Sequence, residues 1–153
     1  MATPEVDATR RLLFDAVDRM VAGTQGIDAA ALQWRPSAPE ANSLAAIVGH
    51  AFGALEQNVI QSLALLHEVE RDREAEFAAV GHTSEAIAAH WATLRPQLDA
   101  ALEALTAADL DDQRPHPRFG AMDGHELLAR AVTHMYEHAA HVELTRQLLD
   151  ARE

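Results

Sequence analysis

The chain has 153 residues, 48% of them apolar and 24% charged, with a net charge of −12. That length and balance fit one globular domain over residues 1–153 with a sizeable core, and they exclude long disorder. The acidic balance speaks against a nucleic-acid or anionic-membrane partner; the absence of Cys removes disulfides, thiolate ligands and a cysteine nucleophile, and the absence of Lys removes Schiff-base chemistry.

Met1 to Asp7 lacks the basic and apolar regions of a leader peptide. No apolar run approaches the roughly 20 residues of a membrane span, so a cytoplasmic protein is expected. Thr3-Pro4 reads as an N-cap with Pro at the first helical position. Val6, Leu13, Val17, Met20 and Val21 follow at helical spacing, and Gly23 and Gly26 close a helix over about 4–22. Residues 29–41, with Pro36 and Pro39, read as a loop carrying one turn of helix, with Trp34 packed on the core.

Asn42-Ser43 caps a second helix expected over about 42–78, its stripe running through Leu44, Ile47, Val48, Ala51, Leu55, Val59, Leu63 and Leu66. From Leu44 to Leu55 the only polar side chain is His50, so this half must be buried nearly all round. A buried imidazole needs partners for its nitrogens, since an unsatisfied polar group costs roughly 1–3 kcal/mol. The charged run Glu68 to Glu74 reads as the solvated end of the same helix, without function.

Gly81 breaks the chain, Thr83 or Ser84 caps a third helix over about 83–105, and Trp91 belongs to its core stripe. Pro96 should kink that helix or mark a surface bend. Residues 106–122, including Arg114 to Gly120, read as a loop long enough to cover one end of a pocket. Asp123, with Glu126 three residues on, opens a fourth helix over about 123–150. No strand pattern is evident, which leaves an all-α, four-helix bundle.

The fourth helix holds the chemistry. His134 and His138 stand at i and i+4, on one helix face with Cβ atoms roughly 5–6 Å apart, a spacing that suits two imidazoles on one metal. An ordinary core or surface helix also presents such pairs. His141 lies too far along the axis, roughly 10 Å from His134 at 1.5 Å per residue, so a third imidazole should come from another helix, with His50 the candidate.

Trp34-Arg35-Pro36, then Ser43 to His50, then His134-x-x-x-His138 together resemble the DinB/YfiT-like superfamily over most of the chain. The resemblance implies a four-helix bundle of up-down-down-up order, often a homodimer, with His50, His134 and His138 as metal ligands. The stretch His138 to Arg146 is similar to the branch that lies near mycothiol-dependent enzymes, with Ala140 where Gly is usual and Glu143 in place of Asp. In the thiol-transfer branch Glu often stands at the position of His134.

Three imidazoles leave at least one coordination position open, and zinc and nickel both suit such a site. The resemblance favours a metal-dependent transferase or isomerase that activates a low-molecular-weight thiol, such as mycothiol or bacillithiol, toward an electrophilic substrate. A hydrolase using metal-bound water is the second reading, and a non-catalytic, metal-stabilised interaction bundle the third. The bundle reading expects a fourth protein ligand, from His141 or Glu137. Gln57, Glu56, Tyr136, Glu137 and His141 are the candidate general acids or bases.

Overall fold

The computed structural model describes residues 2–78 and 82–152; the expected break at Gly81 lies outside them. The helices are α1 (Pro4–Gly23), α2 (Ala29–Gln33), α3 (Leu44–Glu56), α4 (Arg73–Ala78), α5 (Ser84–Ala104), α6 (Ala107–Asp111) and α7 (Gly124–Asp150). Each long helix starts where a side-chain oxygen can take an orphan backbone donor. Thr3 accepts from the Val6 amide, Ser43 from Ala46, Thr83 from Ala86 and Asp123 from Glu126.

The stripes of α1, α3, α5 and α7 meet in one core, with α7 lying along α1 and α3 and α5 along α1. Trp91 is core, as its spacing implied: it is 6% exposed, stacks on Phe52, and donates through Nε1 to Asp18. Trp34 is half-buried against the bundle. α5 runs through Pro96 without interruption. Among the described residues no helix is long and apolar enough to cross a membrane.

Two expectations are corrected. The second helix does not run to residue 78. α3 passes into a π-helical segment, Gln57–Leu63, and Leu65 then takes a left-handed conformation with φ 52°, ending the helix. Residues 64–72 return across α3 as a strap that leads into α4. The charged run is not a free helix tail, because Arg71 of that run and Glu76 beyond it turn inward against α3.

The second correction is a small antiparallel hairpin, β1 (Gln113–His116) and β2 (Gly120–Asp123), inside the expected loop. Its turn is fastened from within. His116 Nδ1 accepts from the amides of Arg118 and Phe119, so its proton sits on Nε2, which donates to Asn58 Oδ1 at 2.9 Å. Asn58 belongs to the π-helical segment, so the two irregular pieces brace each other.

Candidate metal centre

His50, from α3, meets His134 and His138, from α7, with one ring nitrogen of each lying within 4.8 Å of the other two. Periodicity explains the meeting: α3 is apolar around His50, so it sits at 5% exposure in the face that α7 covers. The His134 and His138 Nε2 atoms are 3.1 Å apart. Two nitrogens bound to one tetrahedral zinc at about 2.0–2.1 Å are separated by roughly 3.3 Å, so this edge fits an ion closely. Among the described residues no fourth His, Asp or Glu joins the group.

His50 Nδ1 lies 3.2 Å from Glu76 Oε2, and Arg71 clamps that carboxylate with Nε at 2.8 Å and Nη2 at 2.6 Å. Arg71 Nη2 also lies 3.3 Å from Nδ1 but is directed to the carboxylate at 2.6 Å, so the carboxylate favours the proton on Nδ1 and leaves Nε2 as the nitrogen with a lone pair. Phe77 stacks on the His50 ring at 4.7 Å, and Arg35 donates to the Phe77 carbonyl. The clamp fits because position 53 is glycine: a Cβ there would run into Glu76 Oε1. His138 Nδ1 is buried without a hydrogen-bond partner among the described residues.

All three imidazoles are held neutral. Burial, then the Arg71 charge, depresses His50 to about 4 against the opposing pull of Glu76. Burial and the neighbouring histidines take His138 to about 3, and burial lowers His134. Neutral imidazole is the form that binds metal, so neutral pH presents three ready donors.

A cavity of about 210 Å³ opens beside His134, bordered by the π-helical segment, the strap, the hairpin turn and α7. Of the expected acid–base candidates, Gln57 and Glu137 line it, with Glu137 Oε2 3.8 Å from His134 Nδ1. The others stand elsewhere. Tyr136 donates to Asp15, Glu56 faces His90, and His141 borders a separate groove, its ring 5.9 Å from that of His138. Arg71, Glu76, Phe77 and His116 were not picked out from the sequence as site residues. The one signal for the clamp was Gly49-x-x-x-Gly53 around His50, a small-residue ridge that permits close approach.

The sequence profile of the DinB superfamily matches residues 5–142. A conserved protein from Enterococcus faecalis of known crystal structure superposes with a TM-score of 0.76 at 14% identity, over 99% of each chain. That likeness is one of fold. No curated protein matches.

Proposed function

The chain belongs to the DinB superfamily, and on that premise we propose that His50, His134 and His138 hold a divalent zinc or nickel ion that activates a low-molecular-weight thiol. The thiol, of the mycothiol or bacillithiol kind, is transferred to an electrophilic substrate or serves in its isomerisation. The observation that carries this reading is three neutral imidazoles within 4.8 Å of one another with no fourth protein donor among the described residues. An ion bound there supplies Lewis acidity that ionises a thiol near neutral pH.

The chain's own groups do the rest. Glu76 keeps the His50 proton on Nδ1, and Arg71 keeps Glu76 in place. With no Cys in the chain, the sulfur comes from the small molecule. Glu137, exposed at the cavity beside His134, is the carboxylate placed to take or return the substrate's proton. Strap and bundle shield His50 from water.

Cobalt-loaded protein titrated with mycothiol or bacillithiol should show a sulfur-to-metal charge-transfer band. His50→Ala and His138→Ala should each abolish that band. No band with either thiol, alongside metal-dependent turnover of an ester or amide, would replace this reading with the hydrolase.

A further inference from the structure

The cavity beside His134 carries a charge opposite to that of the protein around it. In a chain of net charge −12, the described residues lining this cavity include Arg71, Arg73, Arg118 and Arg130, and Glu137 is their only carboxylate. Two of the four are committed: Arg71 to Glu76, and Arg130 to Glu126 at 2.8 Å. Arg73 and Arg118 pair with no carboxylate among the described residues. The Arg118 and Arg130 guanidinium groups stack on the Phe119 ring, at 5.2 and 5.3 Å from its centroid. The turn that carries Arg118 and Phe119 is fixed by His116, so the cation is held over the opening by a built element.

Two cations that line one cavity with no carboxylate partner among the described residues repel one another, and a bound anion relieves that repulsion. Size narrows the choice. At about 210 Å³ the cavity lies below the roughly 300–1,000 Å³ of drug-sized sites, and Ala54, Leu127 and Phe119 give it an apolar side.

We infer that this cavity selects a compact organic oxyanion as the substrate brought to the histidine centre, with Arg118 and Arg73 as its charge partners and Phe119 as its apolar wall. The guanidinium fork matches a carboxylate or a phosphate in two-point contact, so the shared chemistry is a small acid. The inference rests on the metal reading above for what happens to the substrate, but not for its binding.

Calorimetric titration at low ionic strength tests it on the zinc-loaded protein. The probes are succinate, glycerol 3-phosphate and the neutral analogue succinamide, with zinc stoichiometry measured separately by chelator competition. At least one of the two anions should bind at least tenfold tighter than succinamide, and which one binds tells carboxylate from phosphate. That binding should weaken as salt is raised. Arg118→Gln and Arg73→Gln should each weaken it about tenfold, as loss of one charge-assisted contact worth about 1.4 kcal/mol or more would do. Arg95→Gln, which removes an arginine paired with Asp18 on another face, should leave it unchanged. Neither anion exceeding succinamide, or full binding in both Arg118→Gln and Arg73→Gln, would overturn the inference. Zinc bound without anion preference sinks this inference alone, whereas arginine-dependent anion binding in protein that holds neither zinc nor nickel upholds it and sinks the metal reading.

Discussion

An imidazole offers a metal only the nitrogen that its other partner leaves free, and at His50 that partner is Glu76. The carboxylate fixes ring orientation and raises the basicity of the opposite nitrogen, while Arg71 keeps it from swinging away. Glu76→Gln should therefore weaken zinc binding about tenfold, and Glu76→Ala by something nearer 100-fold, the range typical of lost ligand supports. Competition against a chromophoric chelator measures both. Equal affinity in wild type and Glu76→Ala would mean that the contact is decorative. His138 differs in kind, because its Nδ1 is buried with no hydrogen-bond partner among the described residues, and its ring is set by its place in α7 and by its contacts with His134 and His50.

Among the elements, the strap and hairpin are the parts that periodicity left unread. The long helices were legible because capping oxygens at Thr3, Ser43, Thr83 and Asp123 stand before 3.6-residue stripes. The candidate ligands were legible because two share one helix face and the third is the lone polar group in an apolar run. Arg71 and Glu76 were not, since a mixed charge run reads the same on a solvated helix as on a strap turned inward. Nor does any short pattern announce a two-strand hairpin whose His116 meets Asn58 of another element. Gly53→Ala separates site from scaffold. The new methyl displaces the Glu76 carboxylate, which is a flexible end, while α3 gains roughly 0.5–1 kcal/mol of helix propensity. Thermal stability should hold or rise as zinc affinity falls; a parallel fall of both would show that the strap supports the fold itself.

For the molecule as a whole, the three histidines set a limit on the acid side. His50 falls to about 4 and His138 to about 3 when folded, whereas an unfolded histidine titrates near 6.5. Between those values the unfolded chain binds more protons, so this contribution is full above about pH 6.5 and is lost as pH falls toward 4 and then 3. The loss runs at up to about 1.4 kcal/mol per pH unit for each of these two histidines. Urea unfolding of metal-free protein at pH 7.5, 6 and 5 should show a falling midpoint, and His50→Gln should flatten that slope. A slope identical in both proteins would place the acid lability elsewhere.

The strap has one more effect, and it is kinetic. Among the described residues α4 fully buries none of its own, and it is held to the bundle by the Arg71–Glu76–His50 contacts, the half-buried Phe77 stack and the Arg35 hydrogen bond. Segments with so little apolar burial open locally far more often than the whole chain unfolds. On the metal reading proposed above, an ion seated behind such a segment would depart and be replaced on the segment's clock. Tight equilibrium binding and fast exchange would then coexist, with release to a chelator keeping pace with hydrogen–deuterium exchange at the α4 amides.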